Sequence, residues 1–128
     1  MSLKVACALI ISNNKILITQ RPLHKNQGGK WEFPGGKLQE NETAAECIVR
    51  EIMEELELDI DVGKQLDSII HQYPSFTIEL IPLVCSVKTG SITLHEHIGS
   101  EWLHVDELKH KDLCDADKKI LVQLEPLS

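Results

Sequence analysis

GKLQENETAAECIVREIMEELEL, residues 36–58, places Glu51, Glu54 and Glu55 at i, i+3 and i+4 of a segment whose apolar residues recur at helical spacing. Ala45, Ile48, Val49, Ile52 and Leu56 form the stripe expected to face a core. Cys47, Arg50, Glu51, Glu54 and Glu55 fall mostly on the opposite side. Asn41 or Thr43 is the expected N-cap, and Glu46, three residues beyond Thr43, completes a capping box. Three carboxylates on one helix face repel each other, so the chain that gathers them needs something positive between them. A shared divalent cation meets that need. The competing reading is a solvated acidic face, the usual fate of a Glu-rich helix.

Upstream, the apolar run from Val5 to Ile11, the Asn13-Asn14 pair and the segment Lys15 to Thr19 predict two strands joined by a tight turn. Residues 22–30 form a polar, Gly-containing loop. Trp31-Glu32-Phe33 is a short strand, ended by a Pro34-Gly35-Gly36 turn. Downstream, Leu66 to Tyr73 and Thr77 to Val87 are strands separated by Pro74-Ser75, with further strands expected at Ser91–Leu94 and Glu101–Val105. Asp106 to Leu108 starts a helical turn. Asp115 or Asp117 caps a final helix to about Leu124, with Pro126 beyond its end. Strands on both sides of a central helix predict a mixed α/β sandwich.

With 128 residues the chain is expected to form one domain, 1–128. Its net charge of −7 leaves no basic stripe for a nucleic-acid polymer. A small polyphosphate remains compatible if a cation bridges the two sets of negative charges, which implies Mg²⁺ or Mn²⁺. Cys7, Cys47, Cys85 and Cys114 form no C-x-x-C pair and sit in apolar contexts, so buried reduced thiols are expected. No signal peptide or membrane-spanning run is evident, and the expected compartment is the cytoplasm.

The same stretch resembles the Nudix box, G-x5-E-x7-R-E-U-x-E-E-x-G-U with U apolar. Gly36, Glu42, Arg50, Glu51, Ile52, Glu54, Glu55 and Leu58 fit; Glu57 stands where the family has its second glycine. Resemblance implies an α/β/α sandwich with a mixed sheet, hydrolysing a nucleoside diphosphate linked to another group. It implies Glu51, Glu54 and Glu55 as metal ligands, with the carbonyl of Gly35 or Gly36, and Glu51 or Glu54 as the residue that orients or deprotonates water. Arg50 and Glu42 would pair to hold the loop against the helix. At Glu57 the helix either absorbs a left-handed residue or exits differently.

Beyond the box, Thr19-Gln20-Arg21 and Trp31 to Lys37 are similar to the MutT and CTP-pyrophosphohydrolase branch. That similarity implies Arg21 and Lys37 as cations on the substrate phosphates, Glu96 as a loop glutamate reaching the metal, and Asp117 as the residue touching the nucleobase, with Phe33 flanking it. The plainer alternatives are a strand-end charge for Arg21, a loop acid for Glu96, a helix cap for Asp117 and a core role for Phe33. His95 and His97 are expected to be solvent-exposed imidazoles. Tyr73 and Pro74 resemble markers of other branches, and a strand-end turn explains them equally. The expected reaction is conversion of a (d)NTP to its monophosphate and pyrophosphate by a monomer or homodimer, with oxidised purine nucleotides or (d)CTP as substrate. ADP-ribose or dinucleoside polyphosphates, or a non-catalytic nucleotide sensor, are the rival readings.

Overall fold

The computed structural model describes residues 2–124. Strand β1 (Ser2–Ser12) runs between two cores. Its alternation sends Ala6, Ala8 and Ile10 to one face and Cys7 and Leu9 to the other, and both faces are buried. That double burial explains why the segment is apolar at successive positions instead of every second one. Asn13 and Asn14, with φ of 52° and 64°, make the two-residue turn into β2 (Lys15–Gln20).

Strands β3 (Trp31–Glu32) and β4 (Gly35–Lys37) follow. The expected Pro34-Gly35-Gly36 turn is only a bend at Pro34; the two glycines belong to β4, which pairs antiparallel with β1 from Val5 to Cys7. A Cβ on Gly35 would lie 2.0 Å from the Ala6 carbonyl oxygen, so only glycine permits this approach. After helix α1 (Ala44–Leu56) come β5 (Asp59–Gln65), β6 (Ile69–Gln72), β7 (Thr77–Thr89) and β8 (Gly99–Leu103). Three short helical turns close the described chain: α2 (Val105–Leu108), α3 (Asp115–Lys118) and α4 (Leu121–Leu124).

The sheet order is β3-β2-β1-β7-β5, with β4 on β1, β6 on β7 and β8 on β2. The β1–β7 pair is parallel from Ser2 opposite Thr77 to Ile10 opposite Cys85, and the other strand pairs are antiparallel. Helix α1 covers one face, where Ile48, Ile52 and Leu56 meet Ala6, Ala8 and Leu83. The other face buries Cys7, Leu9 and Phe33 against Leu108, Ala116, Ile120 and Leu124. The result is the α/β/α sandwich with a mixed sheet.

Four local expectations need correction. Ala45 and Val49 are exposed, and Cys47 is buried instead, because its small thiol rests over β4 with Sγ 3.5 Å from the Gly36 and Lys37 carbonyl oxygens. Strand β5 lies where none was expected, and the strand expected from Leu66 begins only at Ile69. Ser91–Leu94 is not a strand: the Thr93 and His95 amides donate to the Leu56 and Glu55 carbonyls, satisfying the orphan acceptors at the end of α1. The single final helix is two turns, α3 capped by Cys114 and neither Asp115 nor Asp117; Pro126 lies outside the described residues.

Thr43 is the N-cap of α1 and forms the capping box with Glu46. At the other end Glu57 takes the left-handed conformation itself, φ 58° and ψ 32°, and donates its N–H to Met53. The cost is about 1 kcal/mol relative to glycine. Among the described residues no helix is long and apolar enough to cross a membrane. All four cysteines are free and buried.

Candidate active site

A single cleft of ≈ 730 Å³ runs across the sandwich, with Gly35, Gly36, Glu51, Glu55 and Glu96 toward one end and Phe33, Tyr73, Phe76 and Asp117 toward the other. Arg21 and Lys37 line it as well. The residues singled out in the sequence are therefore brought together, except Glu42, Arg50 and Glu54, which stand on and beside α1 outside the lining.

Arg50 organises that outer group. Its Nε and Nη2 donate to Glu42 Oε2 and Oε1 at 2.7 and 2.9 Å, a bidentate pair that ties the loop before α1 to the helix. Nη1 donates to Glu51 Oε1 at 2.8 Å and to Glu54 Oε2 at 3.3 Å. The Arg50 hydrogen bonds, with help from the Gln39 N–H, hold the Glu42 carboxyl down at about 2. The same carboxylates, Glu42 first, push Arg50 further up from its already high value. The positive charge among the acids is thus supplied by a guanidinium.

Deeper in the cleft the situation reverses. Glu55 is 5% exposed, and burial, followed by the charges of Glu51, Glu96 and Glu32, raises its carboxyl to about 9. Its Oε2 is buried without a hydrogen-bond partner. A Cβ on Gly36 would come 2.4 Å from the Glu51 carboxyl carbon, so this glycine leaves the space that the Glu51 carboxyl fills. Hard carboxylate oxygens, one of them orphaned, suit Mg²⁺ or Mn²⁺, and the donor set fits such an ion. Among the described residues, no three His, Cys, Asp or Glu side chains converge closely enough to chelate an ion as they lie. Glu54 is largely exposed at 60%, and Arg50 keeps hold of Glu51.

Three participants were missed in the sequence. Glu32 accepts from Arg21 Nη1 at 3.0 Å on one oxygen and lies 3.0 Å from His97 Nε2 on the other. His97, expected to be exposed, is 7% exposed and also lies 3.8 Å from Glu55 Oε1. Its neighbour His95 is exposed and meets the Glu57 carboxylate. The available signal was Glu32 itself, an acid between Trp31 and Phe33 in a strand. The third is Lys25, whose Nζ donates to Glu96 Oε1 at 2.9 Å; this bond holds the Glu96 carboxyl below its usual range.

At the far end, Asp117 is buried and accepts from the Phe33 N–H through Oδ2 at 2.9 Å. It is not a helix cap. Burial first, then the Glu32 charge, raise its carboxyl to about 8. Phe33 is both a core residue and part of the cleft wall. Tyr73 stacks at 5.1 Å from Phe76, and its hydroxyl accepts from Gln27 Nε2 at 3.0 Å.

The NUDIX domain family model matches residues 6–123, and the chain belongs to the Nudix hydrolase family. Members generally use divalent metal ions. The CTP pyrophosphohydrolase of Escherichia coli is 33% identical over 119 residues, covering 93% of this chain and 88% of that protein. The 8-oxo-dGTP diphosphatase of Proteus vulgaris is 42% identical over 79 residues, 61% of this chain and 70% of that protein. Among solved structures, the DNA mismatch repair protein MutT of methicillin-resistant Staphylococcus aureus, described as a Nudix hydrolase, superposes with a TM-score of 0.81. Its identity is 34%, covering 100% of this chain and 98% of that one.

Proposed function

We propose that the protein is a Mg²⁺-dependent nucleoside triphosphate pyrophosphohydrolase, converting a (d)NTP and water to the monophosphate and pyrophosphate. One observation carries the reading: a single cleft joins an acidic end holding an unpartnered carboxylate oxygen to an aromatic end holding a buried carboxyl. The relatives' names, 8-oxo-dGTP diphosphatase and CTP pyrophosphohydrolase, support the same class. The protein acts as a monomer or homodimer in the cytoplasm, on small nucleotides and not on polymers.

Glu51, Glu54, Glu55 and Glu96, with the Gly35 or Gly36 carbonyl, would hold the ion; when bound it neutralises charge on the phosphoryl oxygens and acidifies water. Glu51 or Glu54 orients that water or takes its proton. Arg50 fixes Glu51 and, through Glu42, the approach of the loop to α1. Attack at the β-phosphorus forms the new P–O bond and breaks the bond to the oxygen bridging α and β, so the nucleoside monophosphate leaves. Arg21 and Lys37 neutralise the polyphosphate.

Asp117, flanked by Phe33, reads the base. Raised to about 8, its carboxyl keeps a proton near neutrality, so it donates to a carbonyl as well as accepting from an amino group. That suits cytosine N4 or an oxidised guanine better than uracil or thymine. The test is pyrophosphate release from 8-oxo-dGTP, dCTP, CTP, ADP-ribose and dinucleoside polyphosphates, run in heavy-oxygen water. Preference for one of the first three, with the label in pyrophosphate, is expected. Preference for either of the last two overturns the assignment, and binding without turnover of any nucleotide favours a sensor.

A further inference from the structure

Three basic side chains line the cleft, Arg21, Lys25 and Lys37, and they differ in how far they are already engaged. Arg21 is held on two sides: Nη1 by Glu32 at 3.0 Å and Nε by the Asn26 carbonyl at 2.8 Å. Those bonds fix the start of the loop that carries Lys25, so much of the donor capacity of Arg21 is spent on the protein itself. Lys25 is different. Among the described residues its ammonium has one partner, Glu96 Oε1, 71 positions away on the loop between β7 and β8. The two side chains are 43% and 44% exposed, and an ion pair that open to water contributes little and exchanges readily.

The Glu96 side of the pair explains why exchange has a direction. Glu96 lines the cleft beside Glu51 and Glu55, and its charge is one of those raising Glu55. A carboxylate in that neighbourhood is drawn to any divalent cation entering with a polyphosphate. Its departure would leave the Lys25 ammonium unpaired in a cleft where several negative phosphoryl oxygens had just arrived.

We propose that Lys25 is a third cation that contacts the polyphosphate, kept on Glu96 until the ligand arrives and transferred from the carboxylate to a phosphate when it does. The inference rests on the pyrophosphohydrolase reading and adds to it a residue outside both the box and the Arg21 and Lys37 pair. It predicts that Lys25 contributes to ground-state and transition-state binding alike, since the charge it meets is present throughout the reaction.

The test is calorimetric titration of wild type, Lys25→Met and Lys25→Arg with a non-hydrolysable nucleoside triphosphate analogue and Mg²⁺, alongside steady-state kinetics. Loss of one charge-assisted contact should weaken binding by roughly tenfold in Lys25→Met. KM should rise by a similar factor with kcat little changed, and Lys25→Arg should restore most of the affinity. In the absence of divalent ions, Glu96→Gln should bind inorganic tripolyphosphate more tightly than wild type. That gain should vanish in the Lys25→Met/Glu96→Gln double variant. Wild-type affinity in Lys25→Met, or a gain in Glu96→Gln that survives loss of Lys25, overturns the proposal while leaving the hydrolase reading intact. Wild type that binds no nucleoside triphosphate sinks that reading and this inference with it.

Discussion

The two ends of the cleft each bury a carboxyl and each hold it protonated near neutrality, yet they are built for opposite partners. Glu55, raised to about 9, sits among other acids and leaves one oxygen without a donor. Asp117, raised to about 8, has its Oδ2 satisfied by the Phe33 N–H and faces aromatic walls. Crowding by like charge makes the first end a receptor for a cation, which would displace the proton. Burial beside aromatic walls makes the second a receptor for a neutral, hydrogen-bonding ring. The same pKa displacement therefore signals two chemistries, and the neighbours distinguish them.

The sharpest way to break this comparison is at the acidic end. Glu54→Gln and Glu55→Gln should each lower kcat by about 10² or more, measured as pyrophosphate release. Glu55→Gln should cut Mn²⁺ affinity without lowering the melting temperature, because the carboxyl is already held neutral and the amide matches its shape. A melting temperature that falls with activity intact would make Glu55 a structural residue.

At the base end the effect should be smaller and selective. Asp117→Asn keeps an acceptor for the Phe33 N–H but loses the acid proton, so the kcat/KM ratio between 8-oxo-dGTP and dCTP should shift by roughly tenfold. Asp117 also has a pH signature. Between its ordinary 3.8 and about 8 the folded protein keeps a proton that the unfolded chain releases, so stability falls as pH rises through that window. Asp117→Asn should then raise the melting temperature at about pH 8 and change it little at about pH 4. No pH dependence would mean that the carboxyl is solvated.

Outside the cleft, Glu42 should behave in the reverse sense. Held at about 2 against an ordinary 4.5, it stabilises fully above 4.5, and that contribution disappears as pH falls through 2. Glu42→Gln should flatten the acid limb of the melting curve. The smallest expected effect is at Glu57, where glycine should add about 1 kcal/mol by relieving the left-handed backbone. Urea denaturation would read it.

How legible each part was depends on whether its signal was local. The helix 44–56, its capping box and the Asn13-Asn14 hairpin are written in spacings of two to four residues, and all three are present. Strand β5 was obscured because Gly63, Lys64 and Gln65 break the alternation begun by Ile60 and Val62. Ser91–Leu94 looked like a strand because its backbone needs partners, but it finds them at the end of α1. Gathering of Arg21, Phe33, Lys37, Glu51, Glu55, Glu96 and Asp117 around one cleft followed from the family resemblance. Burial of His97 against Glu32 did not, since two residues 65 positions apart leave no mark in either neighbourhood.

The four thiols carry a last implication. Cys47, Cys85 and Cys114 are pushed to about 11, 12 and 12, and Cys7 is also raised, burial being the first cause in each case. Peroxide attacks the thiolate, and almost none is present at neutral pH. Peroxide would therefore find no ready cysteine nucleophile in this enzyme, and its turnover should outlast exposure that silences proteins with accessible thiolates.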